Sequence, residues 1–363
     1  MSSKIQPFKN YEEIFQNNYN KTPFEFNSDF VNSFQNKALG FLHNHHLKNN
    51  YSYKNFINTI KHNFQNENEY AISARSFKDL DLLSLPAENI FKILTSSGTS
   101  GTVPSKIYLD KLTAKYQSKV LSSLLSSFTD GKRLPMLVID SKSILKDRKS
   151  FSARGAGIIG FSTIATRQYY ALDEEYELDM QKLNDFIEKF GDKPFLIFGF
   201  TFMIYEKLIL ETSKLKFKNI FKNGIMFHGG GWKKLISLDI SNEKYKSDLY
   251  KKYGLSRVHN YYGMVEQTGS IFLECSHGFL HSSIYSNVSI VDSSLYELPY
   301  GQKGMIKLTS VLPYSYPGHS LLTEDVGICY GIDNCKCGLK GKYFKVLGRA
   351  KKAEIRGCSD VYQ

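Results

Sequence analysis

The sequence has no long apolar run. Nowhere does it approach the ~20 consecutive apolar residues that a helix needs to cross a bilayer, so a membrane-spanning helix is excluded. Its opening, MSSKIQPFKNYEEIF, lacks the positive start and apolar stretch of a secretory leader. Cysteine is scarce: the 363 residues hold five, an odd number, and all of them follow Phe272. That excludes a disulfide scaffold and fits a reducing compartment, where thiols serve metals or chemistry; the reading is a cytoplasmic protein. Acidic residues are outnumbered, 35 against 47 Lys and Arg, for a net charge of +12. The surplus suits anionic partners. The lysines are scattered, however, with no basic tail and no RNA-recognition or helix-turn-helix signature, so a nucleic-acid partner is not expected. No internal repeat and no Pro- or Gly-rich linker divides the chain.

What is present changes texture near residue 91. Residues 1–90 are rich in Asn, Lys and Phe. Phe24, Phe30, Phe34, Leu39 and Leu42 have helical spacing, as does YSYKNFINTIKHNF, which predicts a mainly helical N-terminal segment. His43, His45 and His46 do not share one helix face, and the expectation is a solvated helix end rather than a metal site. Residues 91–350 alternate short apolar runs with helical patterns: FKIL, a helix near Leu112–Phe128, LPMLVID, FLIFGF, a helix near Phe202–Thr212, GIMFHGGG, a helix near Asn242–Tyr253 and RVHNYYG. Such alternation predicts a parallel or mixed sheet with helices on its faces. After Gly269 the runs GSIFLEC, NVSIVD and GMIKLTSVLPY predict an antiparallel or barrel-like part. Residues 351–363 form a short tail.

Directly after Leu94 stands TSSGTSGT, Thr95–Thr102, made only of Ser, Thr and Gly. It fails the Walker A pattern. The physical device is still available: small residues let backbone N–H groups approach phosphate oxygens, hydroxyls add donors, and Lys106 supplies a point charge. Read as lying between a strand and a helix, the loop predicts phosphate binding. HGGGW, His228–Trp232, follows an apolar run and lets a flat ring approach backbone. HNYYGMVEQTG, His259–Gly269, sets Glu266 beyond a strand end, where a carboxylate near phosphates serves Mg²⁺. LLTEDVG offers Asp325 for ribose hydroxyls, and VLGRAKKAEIRG brings Arg349.

In order and spacing these motifs resemble the adenylate-forming superfamily, from Leu94 to Gly357. The resemblance implies an α/β fold: the large N-terminal domain of those enzymes, with helix-flanked mixed sheets and a small β-barrel-like part. It implies that Ser96, Ser97, Gly98, Thr99, Ser100, Gly101 and Thr102 hold ATP phosphates. It further implies that Gly229, Gly230 and Gly231 form the adenine turn, with Tyr262 and Gly263 beside it, and that Glu266 holds Mg²⁺. Asp325 and Arg349 become the ribose pair, and Lys106, four residues past Thr102, a catalytic cation.

The chain stops six residues after Gly357, without the small C-terminal lid of most members, and carries Cys358 in its tail. That combination resembles the LuxE-like acyl-protein synthetases. The implied chemistry is ATP-dependent activation of a fatty acid, transfer to Cys358, and delivery to a partner such as an acyl reductase. Lys351, Lys352 and Arg356 would favour the thiolate. Two alternatives stay open: a ligase that delivers an acyl or aryl group to CoA or a carrier protein, and a non-catalytic binding subunit.

Cys275, Cys335 and Cys337 with one histidine would make a closed Cys₃His zinc site; the other reading is a set of buried thiols. A resemblance to the metal cluster of phenylacetate-ligase-like members favours His281 over His277. Cys329 reads as core. Gly199–Tyr205 and Gly155–Thr163 are candidates for an apolar acyl tunnel or for plain core.

Overall fold

The computed structural model describes residues 8–16, 22–60, 70–96, 104–145, 153–230, 232, 235 and 238–350. Contacts along the chain divide them into two units. One takes the described residues up to 95, those of 104–124 and those of 263–350; the other takes most of the rest, chiefly 125–262.

The first unit opens with a long helix, Ser28–Asn49, whose first turn is capped by the Asn27 side chain accepting from Phe30 N at 3.1 Å. Its buried stripe runs Val31, Phe34, Gln35, Ala38, Leu39, Leu42, His43 and His46. The expected solvated helix end is therefore corrected: His43 is 3% exposed and His46 is fully buried. Each stands four residues beyond a core leucine, so both continue the apolar face. A second helix, Tyr51–Ile60, leads to a short strand, β1 (Ile72–Ser73).

β2 (Ile90–Thr95) and β3 (Lys106–Asp110) then form an antiparallel pair. This corrects the strand–loop–helix reading: the Ser/Thr/Gly segment joins two strands. KIYLD alternates, with Ile107 and Leu109 buried, a period-2 signal too short to notice beside the helix that follows it. Asp110 ends β3 and caps the Lys111–Ser126 helix, accepting from Leu112 N and Thr113 N, each at 3.0 Å.

The second unit is a parallel sheet of β4 (Leu134–Ser141), β5 (Ala165–Leu172), β6 (Phe195–Phe200), β7 (Gly224–Gly229) and β8 (Arg257–Tyr262). The strand order is β8-β7-β6-β4-β5. Every residue of β6 and β7 is buried, which is why both read as unbroken apolar runs. Helices Ala153–Phe161, Met180–Phe190 and Asn242–Tyr253 connect or follow the strands. The segment after β6 is a short α-helix, Thr201–Ile204, continued as a π-helix, Tyr205–Leu210. Strand order reverses between β4 and β6, and in such sheets ligands bind beyond the carboxyl ends near that reversal.

The first unit resumes with β9 (Phe272–Glu274), β10 (Leu280–His281), β11 (Ser286–Val291), β12 (Lys303–Ser310), β13 (Ser320–Ile332) and β14 (Lys342–Arg349). They pair antiparallel in the order β11-β12-β13-β14-β10-β9, with β1 parallel to β13. The N-terminal segment is stitched onto this part. Tyr11 donates to Leu312 O at 2.5 Å, Gln35 to Ser283 O at 3.1 Å, Ser28 N to Asp333 at 2.7 Å, and Lys340 N to Phe24 O at 2.9 Å. Among the described residues no helix is long and apolar enough to cross a membrane.

Candidate active site

In the first unit the candidate carboxylate, Glu266, lies on a single turn, Val265–Gln267. It is 6% exposed. Burial holds its carboxyl above the ordinary Glu range, and Glu324 adds to the effect; the Ser105 hydroxyl and the Arg349 guanidinium pull the other way. The turn is fixed from below. Gln267 donates its side-chain amide to Gly318 O at 2.9 Å, and Gly269, at φ +88°, lies against the backbone of Gln117. The segment carrying Gly318 is itself held by histidines of the first long helix. His46 bonds Pro313 O at 3.1 Å and Ser84 Oγ at 2.9 Å, His45 bonds Tyr314 O at 3.1 Å, and His46 stacks on His319 at 4.9 Å.

Asp325 and Arg349 lie opposite each other in the β13–β14 ladder. The Thr323 hydroxyl donates to Ile306 O at 2.8 Å and accepts from Asp325 N at 3.1 Å. The threonine of T-x-D thus anchors the strand beneath the aspartate. Lys106 opposes Thr95 in the β2–β3 pair, its ammonium 3.6 Å from Asp81. Tyr108 donates to the same Asp81 at 2.5 Å, and that bond does most to lower the aspartate's pKa.

In the second unit, Gly229 ends β7 and Gly230 turns the chain at φ +70°. A Cβ on Gly229 would lie 2.6 Å from the Tyr261 ring, so only glycine fits. Tyr261 covers Gly229; Tyr262, next along β8, alternates to the other face of the strand. The preceding His228 is fully buried, with Nδ1 2.9 Å from Thr201 Oγ1. Burial first, then Lys246 and His259, keep it neutral. At Asp140, next to last in β4, Arg154 forks onto the carboxylate at 2.9 and 2.5 Å, both side chains buried. Residues fourteen apart in sequence gave no local signal of this pair. Of the tunnel candidates, Phe200, Met203, Ile204 and Tyr205 belong to the core, and Gly157 lets the Ala153–Phe161 helix approach Phe198.

Cys275, His281, Cys335 and Cys337 converge, their donor atoms all within 4.8 Å of one another. Two similar turns present them: Gly278 N donates to Cys275 O and Gly338 N to Cys335 O, each at 3.0 Å, with φ of +77° and +86° at the glycines. Cys275 and Cys335 sulfurs are 4.0 Å apart, near the ~3.8 Å expected of two sulfurs on one tetrahedral zinc. His281 Nε2 is 3.4 Å from Cys337 Sγ, and Nδ1 is 3.4 Å from Lys340 O, the outer bond that orients a metal-binding imidazole. Burial is the largest influence on both Cys275 and Cys337. For Cys275 it is outweighed by hydrogen bonds from His281, Phe279 and His277, which lower the thiol; Cys337, beside Cys335 and Cys275, is raised to about 12. The donor set fits a closed Cys₃His site. Cys329 is buried apart from it.

Of the Ser/Thr/Gly loop, Thr95 and Ser96 are described. Ser97, Gly98, Thr99, Ser100, Gly101, Thr102, Gly231, Lys351, Lys352, Arg356 and Cys358 lie outside the described residues.

A family model described as acyl-protein synthetase, LuxE, matches residues 6–363. The chain belongs to the LuxE acyl-protein synthetase family. No curated protein sequence matches this LuxE-family chain. Among solved structures, an open conformation of 2-hydroxyisobutyryl-CoA ligase in complex with 2-HIB-AMP and CoA superposes with a TM-score of 0.68 at 14% identity. The match covers 98% of this chain and 82% of that one. The same ligase in its postadenylation state gives 0.67 at 13% identity, over 96% and 72% of the two chains. Apo MatB from Rhodopseudomonas palustris gives 0.50 at 16%, over 74% and 50%. At such identities the likeness is one of fold: the LuxE-family chain has the mixed α/β fold of adenylate-forming ligases.

Proposed function

We propose that the protein activates a fatty acid with ATP and carries the acyl group on Cys358. A carboxylate oxygen of the acid attacks the α-phosphorus of ATP; the new O–P bond forms as pyrophosphate leaves. The Cys358 thiolate then attacks the acyl carbon and AMP departs, leaving a thioester for a partner such as an acyl reductase or carrier. The first step brings two anions together, so fixed donors and cations must offset their repulsion. In this reading Ser96–Thr102 hold the phosphates and Lys106 adds charge. Gly229–Gly231, Tyr262 and Gly263 receive the adenine, and Asp325 with Arg349 the ribose. Mg²⁺, held by Glu266, would supply charge neutralisation at the phosphates. Zn²⁺ at Cys275, His281, Cys335 and Cys337 would be structural, since a full set of four protein donors leaves no open position. The thiol chemistry suits a cytoplasmic setting.

The observation that carries the reading is the family match over residues 6–363. The buried Glu266 carboxyl, drawn on by Arg349, adds to it. The test is incubation with labelled fatty acid, ATP and Mg²⁺ without CoA. A hydroxylamine-sensitive label on the polypeptide that vanishes in Cys358→Ser supports the proposal. Label that passes only to added CoA favours the alternative suggested by the CoA ligases that share the fold. Absence of acid-dependent exchange of pyrophosphate into ATP refutes both.

A further inference from the structure

Glu324 stands between Thr323 and Asp325, the one residue of T-x-D to which no role has been given. Successive strand residues ordinarily face opposite sides of a sheet. Here the β13–β14 ladder is irregular between Val326 and Gly327, with Gly348 at φ +127° on the partner strand. Bulges re-aim side chains, and Glu324 and Asp325 both reach Arg349. The nearer contact belongs to Glu324: Arg349 Nη1 donates to its Oε2 at 3.1 Å, whereas Arg349 Nε stands 3.8 Å from Asp325. The backbone secures the arrangement, Ala350 N donating to Glu324 O at 3.0 Å. Arg349 and Glu324 are partly exposed, at 36% and 26% of their side-chain surface, and Asp325 is at 20%.

We propose that Glu324 is a positioning residue for nucleotide binding: it holds the Arg349 guanidinium beside Asp325 rather than closed upon it. An arginine fork matches a carboxylate bidentately. Left alone with Asp325, Arg349 would fold onto it, and the two groups would consume each other's hydrogen-bonding capacity. With Glu324 taking one N–H, Asp325 can accept from a ribose hydroxyl and Arg349 can donate to one. The inference rests on the proposed assignment of Asp325 and Arg349 to the ribose.

The experiment compares wild type, Glu324→Gln and Glu324→Lys in acid-dependent ATP–pyrophosphate exchange, with ATP and with 2′-deoxy-ATP. Glu324→Gln should raise KM for ATP about three- to fivefold, the range a partly exposed ion pair allows, while kcat stays within about twofold. Glu324→Lys, which repels Arg349, should raise it further. KM for 2′-deoxy-ATP should move less, so the preference for ATP narrows. Unchanged or lowered KM for ATP in Glu324→Gln overturns the proposal. So does an equal rise for both nucleotides, or a fall in kcat at constant KM. AMP binding by calorimetry separates this from the activation reading. Should wild type show no exchange, activation fails; weaker AMP binding by Glu324→Gln would still uphold the role of Glu324, and equal binding would end it.

Discussion

No side chain fits between Gly318 and Glu266: a Cβ on Gly318 would lie 2.5 Å from the Glu266 carbonyl oxygen and 2.5 Å from the Tyr316 ring. The buried carboxylate is thus seated on a glycine that cannot be enlarged without moving its backbone. Gly318→Ala should cost about 1–3 kcal/mol of stability and lower pyrophosphate exchange by more than that loss explains. Denaturant midpoints and exchange rates on the same samples check this. Gly40→Ala is the control: an added Cβ there meets nothing within 4 Å, and helix propensity favours it.

Glu266→Gln should separate fold from function. Burial already disfavours the charged carboxylate, so a neutral isostere should leave thermal stability equal or higher at pH 8. Exchange should fall about a hundredfold or more, the scale of losing a group that stabilises transferring charge. Normal exchange in the variant would remove Glu266 from the machinery.

The histidines beneath the Gly318 segment predict an acid-sensitive fold. Burial is the main force lowering both, His319 to about 3 and His46 well below its ordinary range, with neighbouring histidines adding to the effect. Folded, they stay neutral; unfolded, they take up protons below about pH 6.5. Above that pH they contribute no pH dependence. As pH falls below it, each withdraws up to about 1.4 kcal/mol per pH unit, continuing to about pH 3 for His319. Urea midpoints between pH 8 and 5 should decline, and His319→Gln should flatten the slope. An unaltered slope would disprove the account.

Purified protein should carry about one zinc per chain. Cys335→Ser should lose it and lower Tm by roughly 3 °C or more, the effect of a couple of kcal/mol in a chain of this size. Metal analysis and calorimetry decide the matter. Stoichiometric metal in Cys335→Ser would place it elsewhere.

Sequence legibility followed burial. FLIFGF and GIMFHG are buried on both faces, so β6 and β7 announce themselves as apolar runs. Antiparallel β11 and β12 were equally readable. β3 was hidden because five alternating residues abut a long helix. His43 and His46 escape the sequence reading because histidine counts as polar, although their four-residue steps from Leu39 and Leu42 continue a core stripe. The Cys275, His281, Cys335 and Cys337 set is legible in spacing and resemblance; the pair of glycine turns that aims the sulfurs inward is not. Tyr261 over Gly229 and Arg154 on Asp140 left no trace, because each depends on which strands or helices become neighbours.

The bonds from Tyr11 to Leu312, Ser28 to Asp333 and Phe24 to Lys340 have a temporal consequence. The first of them joins residues 301 apart. During synthesis, the Ser28–Asn49 helix precedes its partner Asp333 by 305 residues, and its apolar stripe is uncovered meanwhile. Contacts of such long separation form slowly, and exposed apolar surface invites association with other chains. The Ser28–Asn49 helix is therefore a segment that chaperone shelter during synthesis would serve.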